Sequence, residues 1–411
     1  MPRAGWVKPQ TDQRLSDHIS IGVLTRVFPP EVVDRVVAQA GRMERRQRLL
    51  PARAVVYYVL ALALFSQASY EEVMRTLVDG LSWQSGWRRP WRVPTKAAIF
   101  QARRRLGAEP LRGLFERVAV PLATAQTAGA FYRDWRLVSI DGTCLDVADT
   151  AANEQAFGRP GSGRGTGAGA FPQVRLVGLA ECGTHALVQA VVAPQSDSEQ
   201  KLAGAVLDRL APGVLCLADR NFMTFALWQR ASRTGAELLW RARSDRVLPA
   251  LQRHADGSYR SAIYARQRDQ RAGRDPRSVR VIEYQITDPA RPGSDTRYRL
   301  LTTILDPERA PADELAPLYA QRWEFENTLD ELKVHQRGPR IVLRSKLPDG
   351  VIQEAYAYLC VHYAIRWLMH AVAVEAGHDP DRLSFTRSLR AARRTTATHA
   401  GFSPSDPHRS A

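Results

Sequence analysis

The spacing of apolar residues along the chain changes near residue 135, and this change limits the fold more than any other feature of the sequence. Residues 14 to about 125 carry apolar side chains at helical spacing, without strand-like alternation. Short β-like runs follow at 136–141, 173–180, 185–192 and 213–219, and helices are predicted from about 197 to 210 and from 222 to 234. The pattern predicts an α/β protein with an all-helical N-terminal region.

Later changes in composition divide the 411-residue chain further. More β-like runs lie at 237–243, 279–286 and 298–305, and 351–376 is predicted to be a largely apolar helix. The Gly-rich stretch 158–169 is predicted to be a plain linker or a loop that orders on a ligand, and the last dozen residues are predicted to be disordered. The predicted segments are a helical N-terminal domain (1–130), the first part of an α/β core (131–236), an inserted β-rich region (237–310), the second part of the core (311–376) and a basic C-terminal tail (377–411).

The chain is strongly basic, with 58 Lys and Arg against 42 Asp and Glu residues and a net charge of +16. This charge favours a polyanionic partner, most commonly nucleic acid. We predict that the N-terminal domain binds DNA, although a solvated basic face over a Trp-packed core explains the same pattern. One basic helix is predicted to begin after Thr95 and to end before Gly107. The basic clusters are Arg42, Arg45, Arg46 and Arg48, then Arg88, Arg89, Arg92, Lys96 and Arg103–Arg105, with Trp83, Trp87 and Trp91 nearby.

Several protein classes do not fit the sequence. The longest apolar run, 54–65, has twelve residues, whereas a membrane-spanning helix needs about 20. The N-terminus has no apolar signal region, so we expect no membrane association and a cytoplasmic, nucleoid-associated protein. The four cysteines form no C-x-x-C pair, which argues against a disulfide framework and against structural zinc. A phosphate-binding loop of the form Gly-x-x-x-x-Gly-Lys-Ser/Thr is absent from the sequence.

Two aspartates follow apolar strands and are candidates for metal binding. Asp141 ends the run Val-Ser-Ile-Asp, and Asp219 ends the run Leu-Cys-Leu-Ala-Asp. A carboxylate held at the end of a buried strand is expensive to desolvate, so a pair of them indicates a function, most simply binding of a divalent cation. A single strand-end Asp is more often a turn or capping residue.

A third candidate region is the predicted helix 319–333. At 100° per residue, four side chains share a stripe about 60° wide, beside an apolar face. The stripe suits a metal ligand next to phosphate-binding cations, although an ordinary i,i+4 ion pair explains part of it. Asp330 lies near the stripe too, so geometry alone does not choose between Asp330 and Glu326. The stripe contains Tyr319, Arg322, Glu326 and Lys333.

The spacing Tyr-(2)-Arg-(3)-Glu-(6)-Lys resembles the signature helix of bacterial insertion-sequence transposases of the insertion-element-four group. Asp141-Gly-Thr and Asp219-Arg-Asn-Phe resemble the first and second catalytic aspartates of that family, in the right order. The intervals of 78 and 107 residues also fit, and the second is long enough for the inserted β-region of these enzymes. The resemblance covers almost the whole chain, and it selects Glu326 over Asp330.

The resemblance implies a ribonuclease-H-like catalytic core, interrupted by the inserted β-rich region. Asp141, Asp219 and Glu326 are then the catalytic residues that hold two Mg²⁺ ions, for which Mn²⁺ can substitute. Tyr319, Arg322 and Lys333 are expected to bind phosphates near the cut.

In such relatives a flipped base at a DNA hairpin stacks on an aromatic ring. Tyr298 resembles the position of that residue, where Trp is usual, and Trp240 followed by Arg241 is the alternative. Buried strand aromatics are the plainer explanation of both.

The expected function is metal-dependent excision and insertion of an insertion sequence. Double-stranded DNA, as terminal inverted repeats and as target, is the expected partner, and one active site for each end predicts a homodimer in the DNA complex. A nuclease on the same core would cut DNA without joining ends. A DNA-binding regulator derived from a transposase normally lacks one of the carboxylates, and all three are present here.

Overall fold

The computed structural model describes residues 22–44, 50–84, 94–161, 169–285, 297–338 and 342–398. The α-helices are α1 Val23–Val27, α2 Pro30–Gln39, α3 Ala52–Leu64, α4 Tyr70–Gln84, α5 Lys96–Leu106, α6 Glu109–Val118, α7 Ala151–Phe157, α8 Glu199–Leu207, α9 Phe225–Ser232, α10 Gln267–Arg271, α11 Ala312–Leu318, α12 Trp323–Asp330, α13 Pro348–Ala376 and α14 Phe385–Thr398. The strands are β1 Phe131–Tyr132, β2 Trp135–Asp146, β3 Gln173–Glu181, β4 Leu187–Pro194, β5 Val214–Ala218, β6 Glu237–Arg241, β7 Gln252–Arg253, β8 Tyr259–Ile263, β9 Arg277–Gln285 and β10 Arg297–Thr302.

The mixed α/β architecture and the helical N-terminal region agree with the sequence prediction. Seven predicted strands are confirmed as β2, β3, β4, β5, β6, β9 and β10, within a few residues at their ends. The sequence missed β7 and β8, because polar and charged residues interrupt their apolar pattern.

Ten strands of the described chain form one sheet in the order β4-β3-β2-β5-β6-β10-β9-β8-β7, with β1 paired to β2. Strands β2, β5 and β6 are parallel neighbours. Strand β10 runs antiparallel to β6 and β9, and β8 runs antiparallel to β9. The strands of the predicted inserted region therefore continue the sheet that contains β2 and β5.

The register of the parallel strands fixes which side chains lie at the same level. Ile140 pairs with Ala218, and Ala218 pairs with Trp240. These three side chains belong to one hydrophobic core. Leu217 and Leu239, each one residue earlier, belong to a second core, because successive side chains of a strand point to opposite faces.

The chain divides into two compact units. One comprises 1–122, 145–174 and 329–411, and the other comprises 123–144 and 175–328. The predicted catalytic residues Asp141, Asp219 and Glu326 all lie in the second unit. The predicted five-segment division stays a prediction.

The first unit is built around α13. This helix packs against α3, α6 and α14, and most of its residues from Val351 to Arg366 are buried. By length and composition α13 could cross a membrane, but 67% of its most apolar window is buried inside the protein, as in a core helix.

The predicted basic helix is confirmed as α5. Thr95 caps it by accepting a hydrogen bond from Ala98 N, and Gly107 follows it with φ of 70°. Arg103, one of the residues in the second basic cluster, is buried and donates hydrogen bonds to Gln353 and Ser345 within the first unit, so it is not part of an exposed basic face. Arg104 and Arg105 are exposed. Some of the predictions concern residues outside the described part of the chain. These residues are Arg45, Arg46, Arg48, Arg88, Arg89, Arg92, Trp87, Trp91, 162–168 and the last dozen residues.

Candidate active site

The two predicted aspartates lie at one level of the sheet. Asp141 follows Ile140 and Asp219 follows Ala218, and these preceding residues pair in the parallel register. Arg241 follows Trp240 at the same level on β6. The carboxyl ends of β5 and β6 thus present Asp219 and Arg241 beside Asp141. Strand β2 continues to Asp146, so Asp141 lies within its strand and not at the strand end that the sequence predicted.

Alternation along β6 separates Trp240 from Arg241. Trp240 points into the first core, is fully buried and meets Trp228 edge-on with ring centroids 5.4 Å apart. Arg241 points to the opposite face, and its guanidinium lies 4.2 Å from the ring centroid of Tyr298. Burial of Trp240 disfavours base stacking on this residue and leaves Tyr298 as the candidate.

The segment 319–336 is not the single regular helix that the sequence predicted. Tyr319–Arg322 form a 3₁₀ turn, α12 follows, and Glu331–Gln336 form a π-helix. Pro317, in the last turn of α11, has no backbone N–H to donate to the carbonyl four residues earlier, so the helical hydrogen bonds are interrupted just before this turn. The 100° spacing therefore applies only within α12.

Tyr319 ties the beginning of this segment to the sheet. Its side chain is buried in the core formed on the Leu217 side of the sheet, and its hydroxyl donates to the Ala218 carbonyl at 3.1 Å. Burial raises the pKa of Tyr319 above its ordinary value, so the hydroxyl stays protonated and remains a donor. Because Ala218 directly precedes Asp219, the bond fixes the helical segment to the strand end that carries this aspartate.

Arg322 is buried between two of the predicted catalytic carboxylates. Its Nη1 lies 3.5 Å from Asp141 Oδ2, and its Nη2 donates to Glu326 Oε1 at 3.3 Å. Burial works against the charged guanidinium, but Tyr319, Asp141, Asp219 and Glu326 together raise the pKa of Arg322 above its ordinary value. All three candidate carboxylates therefore act on one buried cation.

Asp141 is held in a desolvated position. Burial raises the pKa of Asp141 to about 6, while the Gly142 N–H and Arg322 oppose the increase and Glu199 and Asp219 add to it. Gly142 N donates to Asp141 Oδ1 at 2.7 Å. Asp219 accepts a hydrogen bond from the backbone N–H of Asn221 at 3.3 Å. Both aspartates are thus oriented by the backbone that follows them.

The alternative carboxylate, Asp330, has a different partner. Its Oδ2 lies 3.3 Å from His335 Nε2, and both residues belong to the first unit. Glu326, which pairs with Arg322 and has a half-exposed side chain, is therefore the better candidate. Lys333 lies in the π-helix, in the first unit, and is partly exposed.

A stack of aromatic rings adjoins Arg241. The rings of Tyr298 and Tyr284 are stacked, with centroids 5.3 Å apart and planes 19° from parallel. Tyr298 lies opposite Tyr284 in the pairing of β10 with β9. Tyr298 is partly exposed, as a side chain that receives a base must be.

Glu199 is a fourth carboxylate that the sequence did not single out. It is the first residue of α8, and its Oε2 accepts a hydrogen bond from Asn221 Nδ2 at 2.5 Å. An acidic residue in the first turn of a helix is ordinarily explained by the helix dipole. No spacing in the sequence relates Glu199 to the two aspartates, and only the fold brings it to Asn221.

The donor set fits a hard divalent cation. Asp141, Asp219 and Glu326 offer carboxylate oxygens, which Mg²⁺ and Mn²⁺ prefer as ligands. The partial burial of Asp141 and the positive charge of Arg322 beside it are further signs of a site built for charge compensation.

Comparison with known proteins shows the family to which the chain belongs. Residues 18–116 match the family described as insertion element 4 transposase N-terminal, and residues 133–363 match the transposase DDE domain. This chain belongs to the insertion-element-four family of DDE transposases. It is 28% identical over 381 residues to the transposase InsG for insertion sequence element IS4 of Escherichia coli strain K12, a match that covers 91% of this chain and 83% of that protein.

A solved structure, the piggyBac transposase in a synaptic complex with hairpin DNA, is also similar. It is 12% identical, and the match covers 93% of this chain and 82% of that one with a TM-score of 0.48, too low to support an argument. Membership of the DDE transposase family makes this protein a DNA transposase, an enzyme that cuts DNA and transfers its strands. DDE transposases generally use divalent metal ions.

Proposed function

We propose that this transposase performs Mg²⁺-dependent cut-and-paste transposition with Asp141, Asp219 and Glu326 as its catalytic carboxylates. The observation that carries the proposal is Arg322, a buried cation that contacts both Asp141 and Glu326 directly. Asp219 is placed at the level of Asp141 by the parallel register of β2 and β5.

The three carboxylates would hold two Mg²⁺ ions, and Mn²⁺ can take their place. Bound there, the ions would supply activation of the attacking hydroxyl or water and stabilisation of the leaving oxygen for an in-line displacement at phosphorus. Asp141, with its pKa raised by burial, must lose its proton before it can act as a ligand.

The residues around the carboxylates position the DNA. Arg322 offers a planar guanidinium to a phosphate near the cut, and its pairing with Asp141 and Glu326 holds that group in place. Tyr319, which the sequence predicted to bind phosphate, is proposed instead to anchor the segment that carries Arg322 and Glu326 to strand β5, because its buried hydroxyl donates to the Ala218 carbonyl. Lys333 is proposed as a further phosphate contact.

Tyr298 is proposed to stack on a flipped base of a hairpin intermediate. Its stacking on Tyr284 and its contact with the Arg241 guanidinium hold the ring in one orientation. Because Tyr284 and Arg241 reach Tyr298 from the two neighbouring strands, a base that stacks on this ring would take the place of the Arg241 guanidinium, which could then contact the adjoining phosphate. No role in stacking is proposed for Trp240.

The proposal extends to the assembly. The sheet built on β2, β5 and β6 would be a ribonuclease-H-like core, and two copies of the chain would act together in the DNA complex, one at each transposon end. Terminal inverted repeats and target DNA are the proposed substrates, in the cytoplasm at the nucleoid.

Cleavage of a duplex that carries the inverted repeats flanking this reading frame tests the proposal. We expect specific 3′-hydroxyl ends and strand-transfer products from the wild type in Mg²⁺ or Mn²⁺, and neither product from Asp219→Ala. Asp208→Asn, which alters an exposed carboxylate paired with Arg230, is the matched control and should cleave normally.

The same experiment separates the alternatives. Cleavage without strand transfer would indicate a nuclease, and binding without cleavage would indicate a regulator. Cleavage by Asp219→Ala would reject the assignment of the carboxylates.

A further inference from the structure

Glu199 has contacts that helix capping does not explain. Its side chain lies near the residues that follow Asp141 and Asp219. There its carboxylate accepts a hydrogen bond from the Asn221 side-chain amide at 2.5 Å. The helix start is already capped by Ser198, whose hydroxyl accepts from Lys201 N at 3.2 Å. A role for Glu199 must therefore be sought at its contact with Asn221.

Asn221 links Glu199 to Asp219. Its side chain donates to Glu199, and its backbone N–H donates to Asp219 Oδ1 at 3.3 Å. The carbonyl of Asn221 accepts a hydrogen bond from Gln200 Nε2 at 2.8 Å, so the first turn of α8 holds the residue at two points. The turn after β5 is thus fixed to α8 through one residue.

Glu199 also lies against the residue that follows Asp141. A Cβ atom added at Gly142 would come within 2.8 Å of Glu199 Cγ and Cδ, and closer still to Oε1. The backbone of Gly142 is not in the left-handed region, so its conformation does not require glycine. The missing side chain instead leaves the space that Glu199 occupies. One carboxylate therefore touches the neighbours of both aspartates.

We propose that Glu199 is a positioning residue of the active site, whose carboxylate accepts from Asn221 and packs over Gly142 to hold Asp219 at a fixed place relative to Asp141. The inference rests on the proposed function of these aspartates as metal ligands. In this role Glu199 acts as the hydrogen-bond acceptor of the Asn221 amide.

Binding of Mn²⁺ alone to the full chain, measured by electron paramagnetic resonance without DNA, tests the proposal. Glu199→Ala and Asn221→Ala remove the two ends of the hydrogen bond, and each should weaken Mn²⁺ binding by about 10- to 100-fold, the usual effect of losing a group that orients a metal ligand. Glu199→Gln keeps an acceptor oxygen for Asn221 and should rescue binding to within about 3-fold of the wild type.

The double variant and the control sharpen the result. Glu199→Ala combined with Asn221→Ala should be no worse than either alone, because both remove the same bond. Asp208→Asn alters the far end of α8 and should bind Mn²⁺ like the wild type. Equal loss in Glu199→Gln and Glu199→Ala would overturn the proposal and make Glu199 a direct ligand, and wild-type binding by Glu199→Ala would overturn it outright.

Substitution at Gly142 tests the steric part without removing Glu199. Gly142→Ala should displace the Glu199 carboxylate and weaken Mn²⁺ binding, whereas the same change in the Glu199→Ala background should have no further effect, since the space is then free. An equal loss in both backgrounds would contradict the contact. Failure of the proposed function would look different: wild-type protein would bind Mn²⁺ no better than Asp219→Ala.

Discussion

Arg322 Nη1 lies 3.5 Å from Asp141 Oδ2, so a buried arginine pairs with the aspartate that we propose as the first catalytic carboxylate. Its other terminal nitrogen donates to Glu326. The 3₁₀ turn that carries Arg322 and the strand β2 that carries Asp141 are therefore joined by an ion pair.

Replacement of Arg322 by Met should make the metal-free protein less stable and more responsive to metal. Without the guanidinium, neighbouring carboxylates repel one another, and added Mg²⁺ relieves this repulsion. We expect a lower melting temperature in EDTA and a larger rise on addition of Mg²⁺ than in the wild type. Arg233→Met, at an exposed arginine, is the control, and an equal Mg²⁺ response in all three proteins would contradict the prediction.

The raised pKa of Asp141 predicts a pH-dependent stability. Burial raises the pKa of Asp141 from 3.8 to about 6, so the folded chain binds this proton more tightly and loses stability as the pH rises between these values. Asp141→Asn does not titrate. In EDTA, its free energy of unfolding relative to the wild type should increase by about 1 kcal/mol from pH 5 to pH 7.5, as measured by urea denaturation. A difference that does not change with pH would show that folding does not raise the pKa of Asp141.

The buried pair Arg280–Asp256 should stabilise the β-rich end of the second unit. Arg280 is fully buried and donates to Asp256 Oδ2 at 2.9 Å and to Ala310 O at 2.7 Å, while Asp256 also accepts from Ala312 N at the start of α11. Although burial opposes ionisation, hydrogen bonds and Arg280 hold the pKa of Asp256 below its usual range, so this contribution is present above about pH 4 and lost below it.

Asp256→Ala should therefore lower the free energy of unfolding by about 3–5 kcal/mol, because it leaves the Arg280 charge buried without its partner. Asp245→Ala removes an exposed carboxylate near Arg243 and should cost less than about 1 kcal/mol. Urea denaturation at pH 7 compares the two, and equal costs would refute the distinction.

Tyr298→Ala should impair the hairpin step of cleavage by about 10- to 100-fold, which corresponds to the loss of one stacked base. Tyr298→Phe keeps the ring stacked on Tyr284 and should retain most activity. Formation of the hairpin on end-labelled DNA, together with 2-aminopurine fluorescence at the flipped base, measures the effect. If Tyr298→Ala forms hairpins at the wild-type rate, this ring does not receive the base.

Local sequence signals predicted most elements near the site correctly. The runs that end at Asp141 and Asp219 form β2 and β5, because dense β-branched and aliphatic residues favour buried strands. Thr95 and Gly107 marked the ends of α5 through capping chemistry. The burial of Arg103 was not predictable, because its partners Gln353 and Ser345 are about 250 residues away along the chain.

The sequence by itself determined the mixed α/β class, the two aspartates that follow apolar runs and the family signature, since these depend on short-range periodicity and spacing. Tertiary structure decided which residues act together. The parallel register places Asp141 and Asp219 at one level of the sheet. Because successive side chains of β6 point to opposite faces, Trp240 lies in the core and Arg241 lies on the face of the candidate site. Glu199 reaches Asn221 only through packing of α8 beside the sheet. Such long-range contacts arise from the burial of whole faces, which no local pattern of residues specifies.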